Sequence, residues 1–235
     1  MKRIIITTLG VALAAAVSVP LSVRNVAAVT QNVCTVNTSP CPSGNLYGLN
    51  INSADKQSAS LASAHAVLHT SLGDIDCTNS TVSAQSNSDT SNGSVTALAF
   101  NNGGTTPCTT TFFGNPSATI TVNNLPYTAT VARGAACQGG ATGCDGTLTT
   151  NSINITIRLS NGITCTTTGS PVANLYNKGN ANAPVGGSGA AHSEIEYKNA
   201  SVTVSGSFCP SSGTESAVYY NVGTNPANTD LYLTS

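Results

Sequence analysis

Short runs in which apolar and polar residues alternate recur from about Leu61 onward, and this pattern most restricts the possible folds. The runs are rich in Val, Ile, Thr and Tyr and are separated by Gly, Asn, Pro and Ser, as in proteins built from short strands and turns. The clearest runs cover residues 94–100, 118–123, 127–133, 152–159, 163–167, 201–208, 217–222 and 231–233. The sequence therefore predicts an all-β fold, an antiparallel β-sandwich or flattened barrel of about nine to eleven strands.

One hairpin can be predicted residue by residue. Ile153, Ile155, Ile157 and Leu159 share one face of a strand, which identifies the face that packs in the core. A two-residue turn would place apolar residues of the return strand on the polar face. A three-residue loop over 160–162, with glycine at its third position in the left-handed conformation, keeps both strands' apolar residues on the core face. We expect this loop.

Eight cysteines, an even number in a chain with the features of an exported protein, predict four disulfide bridges rather than metal ligands. Two pairs enclose short loops that contain Gly or Pro. The other two would close the halves of a faint internal repeat, in which Ile-x-Cys-Thr at 75–78 and 163–166 precedes a Ser-Val-Thr strand. The predicted bridges are Cys34–Cys41, Cys77–Cys108, Cys137–Cys144 and Cys165–Cys209. A Cys77–Cys165 or Cys108–Cys209 bridge would remove the repeat argument.

The N-terminus has the order of a secretory signal peptide: a basic start, an apolar stretch over 4–23, and small residues up to Ala28. We expect cleavage after Ala28, although 14–16 offers an earlier site; a retained membrane anchor is the alternative. The predicted organisation is a signal peptide at 1–28, a disulfide-closed N-terminal segment at 29–60 and a β-sandwich domain at 61–235. The expected location is extracellular.

Charge makes nucleic acid an unlikely partner. Loss of Lys2, Arg3 and Arg24 with the leader would leave five basic residues against nine acidic ones, a net charge of −4. Contact with a membrane is expected only during export. Cell-surface or matrix components, or other copies of the chain, are the expected partners.

Candidate catalytic residues are few, and we expect no catalytic residue, cofactor or metal. The hydrolase motif G-x-S-x-G does not occur in the sequence. His65 and His69 would share a helix face but would lie about 13 Å apart on a strand, too far for one ion. Asp74 and Asp76 are interpreted as turn residues before a strand.

A second polar group, His192, Glu194 and Glu196, alternates along one segment, so an extended chain would place all three side chains on one side. Such a row can bind a cation. We favour a solvent-exposed strand face instead.

Two aromatic pairs are the candidate binding surface. Tryptophan, the best platform for stacking sugar rings, is absent from the sequence. Phe112 and Phe113 can present an apolar tip, and Tyr219 and Tyr220 project to opposite faces of a strand, so either pair can be half core.

Several motifs resemble those of small secreted proteins from actinobacteria and relatives. They are Ser71-Leu72-Gly73 with Ile75-x-Cys77-Thr78, Ser94-Val95-Thr96-Ala97-Leu98, Asn124-Leu125-Pro126-Tyr127 and Val202-x-Val204-x-Gly206. The resemblance covers roughly 68–222 and excludes the Cys34/Cys41 segment and 178–189. Some members carry names resembling "activator of alkane oxidation", a label without a mechanism. The resemblance implies a secreted β-rich fold without an assigned active site.

The sequence thus predicts a non-enzymatic extracellular protein with a structural or adhesive role at the cell surface or in extracellular matrix. The alternative is a binding module for a small apolar ligand or a glycan, and a hydrolase comes third. A deep pocket with convergent polar groups would favour binding.

Overall fold

A computed structural model of the chain describes residues 32–34, 36–42, 50–54, 65–85, 93–185, 192–222, 230 and 232–234. This part is all-β, and one short 3-10 helix, Phe112–Gly114, interrupts its strands. No helix in these ranges is long and apolar enough to cross a membrane. The strands are β1 Asn32–Cys34, β2 Asn50–Ala54, β3 Ala66–Thr70, β4 Gly73–Cys77, β5 Asn79–Gln85, β6 Gly93–Asn101, β7 Cys108–Thr110, β8 Ser117–Val122, β9 Tyr127–Arg133, β10 Gly146–Thr150, β11 Ile153–Leu159, β12 Thr164–Gly169, β13 Val172–Tyr176, β14 Ser193–Ser205, β15 Ser212–Val222 and β16 Tyr232–Thr234.

The predicted all-β antiparallel class is confirmed, and its form is a closed barrel with additional strands. Eight strands pair in the circular order β3-β4-β7-β8-β11-β12-β14-β15, and β15 returns to β3. The pairing of β12 with β14 closes the ring. Neighbours in the ring follow one another in chain order, so the barrel is an up-and-down meander. The strands outnumber those predicted because three-residue strands such as β1 and β7 are too short to show an alternating pattern.

A second sheet is built from excursions out of this ring. The chain leaves the barrel after β4 to form β5 and β6, after β8 to form β9 and β10, and after β12 to form β13. Together with β2, which precedes the barrel in the chain, these strands continue outward from β14 in the order β13-β10-β9-β6-β5-β2. The long strands β14 and β15 belong to both layers, because the first part of β14 pairs with β13 and its last part with β12.

The predicted hairpin is confirmed. Residues of β11 alternate between buried and more exposed positions, with the isoleucines and Leu159 inside. Ile157 pairs with Cys165, and the Leu159 amide donates to the carbonyl of Ile163 at 2.9 Å. Gly162 has a φ of 90°, which an L side chain rarely adopts. The requirement that the apolar residues of both strands lie on the core face therefore predicts the loop length correctly.

All four predicted disulfides are present. Cys77–Cys108 joins the neighbouring barrel strands β4 and β7 at the base of the β5–β6 excursion, and Cys165 links β12 to the loop after β14. Such bridges are consistent with an oxidising, extracellular environment. The two halves of the predicted repeat each supply four barrel strands, β3-β4-β7-β8 and then β11-β12-β14-β15. The Ile-x-Cys-Thr motifs lie at different positions in their strands, because Cys77 ends β4 whereas Cys165 is the second residue of β12.

The N-terminal segment is tied to the rest of the fold where it is described. β1 pairs with β16, β2 pairs with β5, and Cys34–Cys41 closes a short loop. The predicted signal peptide, 1–28, lies outside the described residues.

Candidate functional site

A small apolar void lies inside the barrel. Every barrel strand except β7 contributes a lining residue, and Phe100 of β6 adds one from the second sheet. The space open to the centre of a water molecule is about 50 Å³. Ten of the twelve lining residues are apolar or disulfide-bonded, and the two others are Thr167 and Glu215. An eight-stranded barrel is just wide enough to hold side chains or one small ligand, so the void is a candidate binding site.

The void borders a groove on the outer surface. β7 has only three residues, and the preceding residues 102–107 leave the line of the barrel wall. A groove of about 240 Å³ follows this gap. Phe100 and Ile120 line both the groove and the void, and Phe100 is only partly buried. Phe100 and Ile120 therefore lie between the void and the groove.

Glu215 is the one ionisable side chain that lines the void. It also lines a smaller void between the two sheets, where Tyr197 and Tyr219 lie. The side chain of Glu215 is partly buried. Desolvation by this burial raises the pKa of Glu215 to about 7. Near neutral pH the carboxyl group is therefore divided between its acid and its carboxylate.

Thr167 adds a second polar group. It is 4% exposed, and its hydroxyl oxygen has no hydrogen-bond partner within the described structure. A buried hydroxyl without a partner carries a desolvation cost, so such groups call for a specific explanation. A ligand that hydrogen-bonds to Thr167 would supply one.

The tyrosines near Glu215 already have polar partners. The Tyr197 hydroxyl lies 3.1 Å from that of Thr150, and the Tyr219 hydroxyl lies 2.7 Å from that of Ser80. Burial, reinforced by the charge of Glu215, raises the pKa of Tyr197 and keeps it neutral. The polar groups left for a ligand in the barrel are therefore Glu215 and Thr167.

The predicted aromatic surface is split between two regions. Phe112 is buried in the core and Phe113 is exposed, with their ring centroids 5.1 Å apart after β7. Tyr219 is buried and Tyr220 is partly exposed, far along β15 from the loop that precedes it. Each pair places one ring in the core, and the structure does not join the pairs into one patch.

The histidine and aspartate candidates form two cross-strand pairs. His65 and Asp76 lie 2.7 Å apart through Nδ1 and Oδ1, and His69 and Asp74 lie 3.1 Å apart. The interpretation of both aspartates as turn residues is wrong, because they lie within β4 opposite β3. Partly exposed pairs of this kind contribute little to stability.

The solvent-exposed face predicted for 192–196 is also wrong in part. Glu194 is 3% exposed and accepts a hydrogen bond from the Val185 amide. Glu196 accepts hydrogen bonds from the Tyr176 hydroxyl at 2.8 Å and the Asn174 side-chain amide. Burial and the Glu196 hydrogen bond raise the pKa of Tyr176. Glu194 therefore holds the end of the segment 177–185, whereas Glu196 binds two side chains of β13.

Sequence reasoning missed Glu215 and Thr167. Glu215 lies in Ser-Gly-Thr-Glu-Ser and Thr167 in a run of three threonines, so their own segments are polar. The alternation nevertheless places Thr167 on the face of Cys165, and Glu215 on the face of Ala217. This alternation was the available signal. The pairing then shows their neighbours: Thr167 is opposite Val204, and Glu215 is opposite Ala200 and Leu68.

Within the described residues, no group of three or more His, Cys, Asp or Glu side chains could hold a metal ion. No protein-family model, curated protein or solved structure matches the chain.

Proposed function

We propose that the protein is a secreted binding protein for a small apolar molecule that carries one hydrogen-bond donor group. The observation that carries this proposal is that two polar side chains, the Glu215 carboxyl group and the unpartnered Thr167 hydroxyl, line an otherwise apolar void. Sites for small ligands are typically apolar, with a few polar groups that fix orientation.

The size of the void limits the ligand. About 50 Å³ corresponds to roughly three to five water-sized groups. A longer ligand would have to displace Phe100 and extend into the groove beside Ile120. The ligand is therefore a short, linear molecule with its polar end inside. A sugar ring, with hydroxyls on every side, fits this lining poorly, which favours the apolar ligand over the glycan.

The head group follows from the two polar side chains. A carboxylate accepts hydrogen bonds and repels anions, and no lysine, arginine or histidine lines the void. A protonated amine would neutralise Glu215, and its N–H groups are donors of the kind that the Thr167 hydroxyl can accept. An alkyl amine is therefore the best chemical match, ahead of an alcohol, and a fatty acid is the worst.

The test compares butylamine, butanol and butyrate by NMR titration of the purified, disulfide-bonded protein at pH 8. We expect butylamine to shift amide resonances of void-lining residues and to bind more tightly than butanol, while butyrate produces no shift there. Hexylamine would show whether the tail extends past Phe100. Equal binding of butyrate, or shifts only at the outer surface, would contradict the proposal.

Two variants identify the site. Glu215→Gln keeps the shape and removes the charge, so amine affinity should fall about 10- to 100-fold. Thr167→Val removes only the hydroxyl and should weaken binding about 2- to 10-fold. Asp74→Asn is the matched control, because Asp74 is exposed and lies on the outer side of the barrel opposite His69.

A structural or adhesive role is the second candidate function. It is favoured by a cluster of exposed apolar side chains at one end of the barrel, described below. The absence of catalysis remains a prediction, and turnover of ester, peptide or glycoside substrates that one substitution abolishes would contradict it.

A further inference from the structure

Four loops lie together at one end of the barrel. Neighbouring barrel strands are antiparallel, so the connections β3–β4, β7–β8, β11–β12 and β14–β15 all emerge at the same end. Hydrogen bonds connect the first three of these loops, since Asp74 N–H, beside the first loop, donates to Thr111 and the Ser160 hydroxyl donates to Asn115. We call the loops 71–72, 111–116, 160–163 and 206–211 the barrel rim.

The barrel rim carries all three large apolar side chains that are exposed in the described part of the chain. Leu72 is 39% exposed, Phe113 49% and Phe208 77%. They come from three different loops. Single exposed apolar residues are ordinary, but their confinement to one end of a barrel marks an interaction surface.

Two of these residues are held outward by left-handed backbone. Phe113 has a φ of 52° and Phe208 a φ of 67°, which bulky residues rarely adopt. Hydrogen bonds close both turns, from Gly114 N–H to Thr111 and from Cys209 N–H to Gly206. The Cys165–Cys209 bridge fixes the loop directly beside Phe208. The rings are therefore presented on short, braced turns.

The barrel rim contains no Asp, Glu, Lys, Arg or His. The nearest charges lie below it, where His69 and Asp74 form a pair at 3.1 Å and Arg158 precedes the last residue of β11. Ser, Thr, Asn, Gly and Pro supply most of the remaining rim surface. Such a surface can enter the headgroup region of a bilayer without desolvating a charge, and it offers no attraction to anionic lipids.

We propose that the barrel rim docks the folded protein on the surface of a zwitterionic lipid bilayer, with Leu72, Phe113 and Phe208 inserted among the headgroups. This contact goes beyond the transient one expected during export and is independent of the ligand proposal. A second copy of the chain fits less well, because separate protruding side chains suit a deformable surface better than a rigid one.

The absence of tryptophan gives a direct reporter. In Phe208→Trp, the single indole should shift its fluorescence to the blue on addition of phosphatidylcholine vesicles and be quenched by brominated phosphatidylcholine. Tyr220→Trp, far along β15, is the control and should show neither effect. Binding should be the same at 0.1 and 0.5 M NaCl and should not increase with phosphatidylserine.

A double variant tests the two rings without harming the fold. Asparagine tolerates left-handed backbone, so Phe113→Asn with Phe208→Asn should keep or raise the thermal midpoint while lowering vesicle partitioning at least tenfold. Phe208→Leu should retain most of the partitioning.

Three results would overturn the proposal. They are failure of the wild-type protein to partition to phosphatidylcholine, partitioning only to anionic vesicles, and a dimer in light scattering that the asparagine variant loses. The last would assign the barrel rim to self-association. None of these results bears on amine binding inside the barrel.

Discussion

The hydroxyl groups of Ser80 and Tyr219 lie 2.7 Å apart, and both residues are at most 1% exposed. This hydrogen bond joins β5 of the second sheet to β15 of the barrel, across 139 residues of sequence. Tyr219 also packs its ring edge-on against Tyr197, with centroids 6.3 Å apart. The contact therefore connects the two layers at their core.

Removal of this hydrogen bond should destabilise the whole fold. Tyr219→Phe leaves the Ser80 hydroxyl buried without this partner, which should cost about 1 to 3 kcal/mol of unfolding free energy. Ser80→Ala should cost a similar amount, and the double variant should cost less than the sum of the two. Denaturant unfolding of the four proteins gives the coupling energy. Additive costs would show that the two hydroxyls do not act as a pair.

Glu215 should make stability fall as pH rises. Its folded-state pKa of about 7 lies above its ordinary value of 4.5, so the folded protein holds a proton that the unfolded chain has released. The unfolding free energy should therefore decrease between those pH values, by about 2 kcal/mol after allowance for contact with the voids. Glu215→Gln should remove this decrease. The unfolding free energy of the variant minus that of the wild type should therefore increase from pH 4.5 to 7. A constant difference between the two proteins would contradict the burial of this charge.

The disulfides should differ in their contribution to stability. Cys165–Cys209 spans 44 residues and Cys137–Cys144 spans 7. A bridge that closes a longer loop removes more conformational entropy from the unfolded chain. Replacing the first pair by Ala should cost about 1.5 kcal/mol more than replacing the second, and more still because Cys165 is buried in the core. Chemical denaturation of the two variants decides the order. The opposite order would show that the contribution of the Cys137–Cys144 bridge to stability does not follow from the length of its loop.

Glu194 should stabilise the loop before β14. It is buried and accepts the Val185 amide, so Glu194→Ala leaves a donor without its acceptor and should cost about 1 to 3 kcal/mol. Hydrogen exchange at the Val185 amide should accelerate as well. Asp74→Ala is the control and should cost less than about 1 kcal/mol, because its pair with His69 is exposed. Unchanged exchange at Val185 would rule out the anchoring role.

Local patterns predicted local structure well. The alternation in β11, the loop at 160–162 and the cysteine pairing all follow from spacing along the chain, and each is found in the fold. The closure of the barrel was not predictable in the same way, because it depends on β12 meeting β14 and β15 meeting β3. Those partners are far apart in sequence, and their residues are mostly Thr, Ser and Gly.

The candidate site could not be predicted from the sequence, for the same reason. Thr167 and Glu215 continue the inward faces of their strands, but which residues they meet inside the barrel is decided by strands that are distant in sequence. Conversely, the row from His192 to Glu196 had a clear alternation but no indication that 177–185 would cover it. Polar residues in this chain acquire their roles from long-range pairing, which a single sequence does not encode visibly.

Each excursion returns to the ring beside the strand that it left, so its length is free to change without altering the ring. The outer strands of an excursion can therefore vary while the eight barrel strands stay the same, except at core contacts such as that of Ser80 with Tyr219. Phe100, which lines both the void and the groove, belongs to one of these excursions. The ring that closes the barrel and the aromatic side chain beside its void thus lie on different parts of the chain, so Phe100 can be replaced without changing a barrel strand.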